Sequence, residues 1–223
     1  MASPNQVSSL SMAGSNYAFC GANMCAWRVP EGFKKNLGDE DRSQYIVLGT
    51  QESWYRSFSR NGKQYLDRSG NFATEYPSLQ KWLEEKKQFS KPKFLSLGPK
   101  GQYFAHTEWG RFWSLSEDII KSLGNAHDYD RVWLGKDGSF VAAKKSKSGG
   151  MSKLGYRSKL GNRYPELEAK IKERGNPSVL ALNLDNDQEY VAAWSNGAYI
   201  WKTKSGDKGN MQKFLQNHGM TKK

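Results

Sequence analysis

A β–β–β–α unit recurs five times along this chain, and this repeat constrains the fold more than any other sequence feature. An aromatic residue follows the first predicted turn of each unit: Tyr17, Trp54, Tyr103, Phe140 and Tyr190. These aromatics are separated by 37, 49, 37 and 50 residues, a spacing typical of solenoids and propellers. The sequence therefore predicts one repeat domain over residues 1–223, with units at approximately 6–42, 43–92, 93–129, 130–176 and 177–219.

The third unit shows the order of its elements most clearly. A short apolar strand is predicted before the turn at Pro99 to Gly101, and two further strands are predicted on either side of Trp109-Gly110. A helix is predicted next, because Ser116 is a good N-cap and Gly124 is suited to end the helix. The other units repeat this order.

Three further signals recur between units and support the alignment. A Leu-Gly pair follows the first predicted strand in three units, at Leu48-Gly49, Leu97-Gly98 and Leu134-Gly135. Hairpin turns are predicted at Asn61-Gly62, Lys136-Asp137-Gly138 and Asn196-Gly197. The two longest units begin their helices at matching Tyr-Pro pairs, Tyr76-Pro77 and Tyr164-Pro165.

These units predict a β-rich fold with helices, arranged as a propeller-like ring of five β–β–β–α repeats. Radial stacking suits such units because it buries the faces of the sheets and leaves only short edges. In unit count, unit length and richness in Trp and Tyr, the whole chain resembles the five-bladed propeller lectins of the tachylectin type. The 37-residue units are too short for the fourth strand of those lectin blades, and the predicted helices also differ from them. The alternative is an α+β body of linked three-stranded sheets with packed helices.

The balance of charge and aromatic residues bears on partners. Lys and Arg number 34 against 22 Asp and Glu, which gives a formal net charge of +12. Such a charge favours polyanions such as nucleic acid, anionic lipid or acidic glycan, although charge spread evenly over the surface gives the same total. The aromatic content of 13%, with eight Trp, argues against a disordered chain.

The two cysteines and the N-terminal residues bear on compartment. Cys20 and Cys25 lack the further ligands that a zinc site needs, and we expect them to be buried free thiols. The N-terminal residues show no signal-peptide pattern, and no apolar run is long enough to span a membrane. We therefore expect a soluble intracellular protein, cytoplasmic or nuclear, and the sequence indicates no cofactor.

The sharpest local feature is a basic stretch within residues 144–163 that contains no acidic residue. Its cations are Lys144, Lys145, Lys147, Lys153, Arg157, Lys159 and Arg163. Small residues separate these charges, and Tyr156 can stack on a base or a sugar ring. The stretch is therefore a candidate polyanion-binding loop, and the alternative is a solvated basic surface. A second run, Lys86 to Lys93, is better interpreted as surface charge.

Repeated aromatic residues suggest either packing or a set of equivalent ligand sites. The third predicted strands carry rings at apparently equivalent positions: Trp27, Tyr65, Trp113 and Trp201. We expect these rings to pack between neighbouring units, and the alternative is a ring of sugar-binding pockets. Trp109 and Trp194 do not recur in every unit, and we expect them to be exposed stacking residues near hairpin tips.

Signals for catalysis are few. The motifs of serine hydrolases, nucleotide-binding loops and zinc proteases are absent from the sequence. His106 departs from the alanines at the matching positions of units four and five, and His127 lies beside two aspartates in a predicted loop. These two histidines are candidates for a pocket, but we assign no catalytic residue and no metal ligand.

The sequence therefore favours a non-catalytic binding protein that presents aromatic and basic side chains to an extended anionic ligand, nucleic acid or acidic glycan. The resemblance to propeller lectins implies an alternative, the binding of neutral sugars at several repeat-related sites. A third alternative is an enzyme with a pocket at the centre of the ring.

Overall fold

In the part of the chain that the structure describes, five separate sheets form the framework, and each contains three consecutive antiparallel strands. We analysed a computed structural model, which describes residues 7–21, 25–35, 37–38, 41–85, 92–144, 156–203, 208–218 and 221–222. The β-rich fold with helices that the repeat predicts is confirmed, and each predicted unit contains one sheet.

Within each sheet the strands lie side by side in chain order. The sheets are β1 (Val7–Ala13), β2 (Asn16–Gly21) and β3 (Cys25–Arg28); β4 (Arg42–Leu48), β5 (Trp54–Arg60) and β6 (Lys63–Arg68); β7 (Phe94–Leu97), β8 (Tyr103–Thr107) and β9 (Gly110–Ser114); β10 (Arg131–Leu134), β11 (Phe140–Ala143) and β12 (Tyr156–Lys159); and β13 (Val179–Leu182), β14 (Tyr190–Ala193) and β15 (Ala198–Lys202). A fourth strand, β16 (Thr221–Lys222), pairs in parallel with β15.

A helix follows the third strand of every sheet, as the repeat predicts. These helices are α1 (Glu31–Lys35), α2 (Phe72–Glu75) with α3 (Pro77–Glu85), α4 (Glu117–Leu123), α5 (Pro165–Arg174) and α6 (Lys208–Asn217). Each helix buries apolar side chains, such as Phe33 in α1 and Phe214 in α6. Burial of such rings against the sheets removes a large apolar surface from water and so stabilises each small unit.

The turns predicted from sequence have the expected backbone geometry. Asn61 and Gly62 have φ values of 51° and 75°, which is the left-handed geometry of a two-residue hairpin turn. Asp137 and Gly138 have φ values of 51° and 74°, and Lys100 and Gly101 repeat this pattern in unit three. Local sequence therefore fixes these hairpins.

The expectation of free thiols is wrong. Cys20 on β2 and Cys25 on β3 are directly opposite each other in the antiparallel register, and their sulfurs form a disulfide. Opposed residues on neighbouring strands are close enough for such a bond. The register, which composition does not reveal, brings the two residues together.

The first strands of the five sheets contact one another in a defined order. Strand β1 contacts both β4 and β13, β4 also contacts β7, and β10 contacts both β7 and β13. Each first strand therefore contacts the first strands of two other sheets. All five are edge strands of their own sheets, so each has one edge free for this contact.

Serine hydroxyls connect β1 to β4. Ser9 Oγ accepts a hydrogen bond from the backbone N–H of Ile46 at 3.3 Å, and Ser11 Oγ accepts one from that of Leu48 at 3.1 Å. A buried backbone N–H without a partner costs about 1–3 kcal/mol, so these hydroxyls satisfy edge groups that the sheets leave unpaired.

The other four contacts between first strands also contain a side-chain-to-backbone hydrogen bond. Tyr45 Oη accepts from Leu95 N–H at 2.8 Å, Ser96 Oγ accepts from Leu134 N–H at 3.1 Å, the Arg131 guanidinium donates to the carbonyl of Ser178, and Asn183 Nδ2 donates to the carbonyl of Gly14 at 2.8 Å. Polar side chains thus link neighbouring sheets in all five places.

Close approach explains the glycine of the recurring Leu-Gly pair: at Gly49 the close neighbours are Ser53 and Tyr76 of the same unit, and at Gly98 and Gly135 they include a leucine of the next sheet. A Cβ atom on Gly98 would lie 2.8 Å from Cδ1 of Leu134, and one on Gly135 would lie 2.9 Å from Cβ of Leu182. The leucine of one unit therefore packs onto the glycine of the preceding unit. A side chain at either glycine would push the two sheets apart.

We expect Gly135→Ala to lower the free energy of unfolding by about 1–3 kcal/mol, because overpacking of a buried contact costs this much. Urea denaturation followed by circular dichroism measures the change. The matched control is Gly70→Ala, since a Cβ on Gly70 meets nothing within 4 Å. Equal stability of the two variants would contradict the close-approach explanation.

Asn183 occupies in unit five the position that glycine holds in the other longer turns. Its backbone N–H bonds the carbonyl of Glu189, as Gly135 N–H bonds that of Ser139. Its buried amide also accepts from Gly14 N–H at 3.0 Å and donates to Glu189 Oε2 at 2.7 Å. The last sheet is therefore tied to the first by an amide group rather than by a leucine on a glycine.

We expect Asn183→Ala to lower the free energy of unfolding by about 3 kcal/mol, because several buried polar groups lose their partner at once. Asn186→Ala, in the same turn, should change it by less than about 0.5 kcal/mol. Urea denaturation of both variants decides the point, and a loss shared equally between them would refute the proposed role of the Asn183 amide.

Candidate ligand site

A cavity of about 550 Å³ is lined by residues of all five first strands. Its volume falls within the range of pockets that hold small ligands, about 300–1,000 Å³. The lining includes residues from both ends of these strands, so the cavity runs along their length. This cavity is the candidate functional site.

One end of the cavity, here called the base, is apolar. It lies at or just beyond the C-terminal ends of the first strands and is lined by Met12, Leu48, Leu97, Leu134, Leu182 and Leu184. All six residues are buried. Two of these leucines, Leu134 and Leu182, also pack onto Gly98 and Gly135, so contacts between sheets form part of the base.

The opposite end, here called the mouth, is polar and basic. It lies near the N-terminal ends of the first strands and is lined by Ser8, Lys93, Arg131, Ser178, Asn196 and His218. Lys93 is exposed and Arg131 is half-buried. No carboxylate of the described residues lies within ion-pair distance of either cation.

Several contacts hold the Arg131 side chain in place. Its guanidinium donates to the Ser178 carbonyl and lies 5.9 Å from the centre of the Trp133 ring. Burial lowers the pKa of Arg131, and the nearby Tyr45 and Asp130 act in the opposite direction. An arginine keeps its charge in proteins, so a positioned cation faces the cavity.

His106 lies beside the mouth with a carboxylate partner. Its Nδ1 is 3.6 Å from Oδ1 of Asp130, which also pairs with Arg111. Burial lowers the pKa of His106, and the charge of Arg111 adds to this effect while Asp130 opposes it. The proximity of Lys93 lowers the pKa further. His106 is therefore part of an ion cluster with Asp130 and Arg111, and none of these three residues lines the cavity.

The other candidate histidine, His127, is exposed outside the cavity. It lies in a short 3-10 turn, and its ring makes an edge contact with Trp113 at 4.4 Å between centroids. Among the residues that the structure describes, no group of three or more His, Cys, Asp or Glu side chains could hold a metal ion.

The basic stretch is only partly covered by the structure. Lys145, Lys147 and Lys153 lie outside the described residues. Lys144 Nζ pairs with Asp128 at 3.0 Å, Lys159 Nζ with Asp118 at 3.7 Å, and Arg163 Nη1 with Asp137 at 2.7 Å. Arg157 is exposed on β12. Acids from distant segments thus accompany three of these four cations, which the local sequence did not indicate.

The aromatic candidates have three different environments. Trp109, at the turn between β8 and β9, is 56% exposed and stays a candidate for stacking. The expectation that Trp194 is exposed is wrong: it is 5% exposed and its indole N–H donates to the Gly175 carbonyl at 2.9 Å. Tyr156 is partly buried and packs against the largest apolar cluster.

The proposed equivalence of the third-strand rings is partly wrong. Trp27, Trp113 and Trp201 lie opposite Ala18, Phe104 and Val191, each of which directly follows the repeat aromatic of its unit. The same register position is held by Arg68 in unit two and Ser158 in unit four, and Tyr65 lies elsewhere. A ring therefore occupies this position in three of the five units.

Arg131 is not among the site residues predicted from the sequence, and Lys93 belongs to a run that the sequence predicts to be surface charge. The available signal was positional, since Arg131 begins β10 and Lys93 directly precedes β7. The importance of this position depends on five strand ends meeting in space, which a single unit does not reveal.

Comparison with known proteins does not place the chain in a family. No protein-family model, curated protein or solved structure matches the chain, so the resemblance to propeller lectins stays a prediction. In the part of the chain that the structure describes, none of the helices has the length and apolar character needed to cross a membrane.

The buried Tyr45 in the cavity wall predicts a specific alkaline instability. Burial raises the pKa of Tyr45 to about 12, and its hydrogen bond to Leu95 and the charge of Arg131 oppose this rise. Because the unfolded chain loses the phenol proton near pH 10, stability due to this group is present below pH 10 and is lost as the pH rises to 12.

Between pH 9 and pH 11.5 we expect this loss to be about 2 kcal/mol, at 1.4 kcal/mol per pKa unit, and to be missing in Tyr45→Phe. Urea unfolding of both proteins at pH 9 and pH 11.5 measures it. Other buried tyrosines titrate in both proteins, so the difference isolates Tyr45. Parallel loss of stability in the two proteins would contradict the prediction.

Proposed function

We propose that the protein is a non-catalytic binding protein whose five sheets form a propeller-like ring around the cavity, and that an anionic ligand binds at the mouth. The ring is supported by the contacts of each first strand with two others and by the lining of one cavity by all five. This arrangement buries sheet faces and protects strand edges without a fourth strand in every blade.

The observation that best supports the proposed function is the environment of the Arg131 and Lys93 side chains. These cations face a cavity and have no ion-pair partner among the described residues, whereas Lys144, Lys159 and Arg163 pair with acids. Two unit charges 4 Å apart attract by about 1 kcal/mol in water and by about 4 kcal/mol where the effective dielectric constant is near 20. A half-buried mouth therefore attracts an anion more strongly than an open surface does.

The contact of an extended polyanion with the basic stretch is the second candidate. It is favoured by Arg157, which is exposed on the outer strand β12 beside Lys159 and faces no competing acid among the described residues. This candidate uses a different surface, so variants separate the two. Neutral-sugar binding at repeat-related rings has less support, because Arg68 and Ser158 interrupt the set of rings.

The test uses 8-anilinonaphthalene-1-sulfonate, an anionic fluorescent probe, and its uncharged analogue N-phenyl-1-naphthylamine. We expect Arg131→Met to weaken binding of the sulfonate about tenfold, which corresponds to about 1.4 kcal/mol, and to leave the neutral probe unaffected. Lys93→Met should weaken it about threefold and serves as the second variant, since Lys93 makes no described contact between sheets.

The matched controls are Lys121→Met, an exposed lysine on α4, and the triple variant Lys153→Ala, Arg157→Ala, Lys159→Ala. Both should bind the sulfonate like the unaltered protein. If the triple variant loses binding and the Lys93 and Arg131 variants do not, the working surface is the basic stretch and the mouth is excluded.

A further inference from the structure

The polar side chains in the wall of the cavity are already used by the fold. The hydroxyls of Ser9, Ser11, Tyr45 and Ser96, here called the wall hydroxyls, each accept a hydrogen bond from a backbone N–H of the neighbouring first strand. Two of them also donate to carbonyls: Ser11 to Ile46 at 3.4 Å and Tyr45 to Leu95 at 3.3 Å. These groups therefore connect sheets, and Ser11 and Tyr45 use both their O–H donor and an acceptor site in doing so.

Below the mouth, most of the side chains that line the cavity are apolar, although serine hydroxyls and backbone groups of the strand edges also border it. Val47, Leu95 and Trp133 line it along the strands, and the six buried residues of the base complete it. A hydrocarbon chain packed against these side chains would gain about 0.8 kcal/mol for each buried methylene.

We infer that the ligand is an anionic amphiphile, with its charged headgroup at Lys93 and Arg131 and an unbranched apolar tail directed toward the base. This inference rests on the proposed function and specifies its ligand class. The shortest first strands have four residues, and at a rise of about 3.4 Å per residue they span about 14 Å. The cavity follows these strands, and its side chains change from cationic at the mouth to apolar at the base.

Charge complementarity selects the anionic headgroup over a cationic or neutral one. Lys93 and Arg131 line the mouth, and none of the described residues that line the cavity is acidic. Asp130, the neighbour of Arg131 in sequence, is paired with Arg111. A cationic headgroup would meet these charges unfavourably. The orientation of the ligand follows, because the opposite orientation would bury the charge among leucines without a partner.

The experiment is displacement of 8-anilinonaphthalene-1-sulfonate by butanoate, octanoate and dodecanoate, each below its critical micelle concentration. We expect affinity to rise with chain length by up to about fourfold per methylene, until the tail fills the cavity. Dodecyltrimethylammonium, with the same tail and a cationic headgroup, should bind at least a hundredfold more weakly than dodecanoate.

Leu184→Asn tests the base without altering a strand or the mouth. We expect this variant to bind dodecanoate at least tenfold more weakly and butanoate unchanged. A variant that merely unfolds would lose both ligands and the cooperative unfolding transition. Because only long tails are expected to reach Leu184, the difference between the two ligands is the informative readout.

The outcomes separate this inference from the proposed function. If the three carboxylates bind equally well and Lys93→Met weakens them all, the amphiphile inference is overturned and the anion site stands. If the cationic amphiphile binds as well as dodecanoate, or if neither probe nor carboxylate binds, both the proposed anion site and the amphiphile inference are refuted.

Discussion

Hydrogen bonds from side chains to the free edges of the first strands are the interaction on which the rest of the structure depends. Each first strand is the edge of its own sheet, and its neighbours belong to other sheets, so no continuous ladder can satisfy it. Ser9, Ser11, Tyr45, Ser96 and Asn183 supply the missing partners. They use short or rigid side chains, which lose little conformational entropy on ordering.

This interaction sets the distance between sheets, and the distance in turn sets the composition of the turns. Glycine is required at positions 98 and 135 because a leucine from the next sheet lies against the backbone there. Asn183 replaces that glycine where the last sheet meets the first, and its amide reaches Gly14. One position of the repeat therefore either permits close packing or provides a polar link.

The same interaction shapes the proposed site. Because the wall hydroxyls are used between sheets, most other side chains along the wall are apolar. Among the described residues that line the cavity, the lysine and arginine cations lie where the strands begin, at Lys93 and Arg131. Two leucines of the base, Leu134 and Leu182, also pack against the glycines of the preceding units. Stability and ligand selectivity are thus coupled: a change in the wall that admits polar ligands would also remove a link between sheets.

The sequence by itself determined the local structure: the five units, the hairpins at Asn61-Gly62 and Asp137-Gly138, and the helix after each third strand, since these follow from periodicity and turn chemistry within a few residues. Only the tertiary structure decided which residues meet across units. It joined Cys20 to Cys25, buried Trp194, and paired Lys144 and Arg163 with acids. It also gathered Lys93 and Arg131 at one cavity, because such contacts depend on register and on the order of the sheets, which no local pattern encodes.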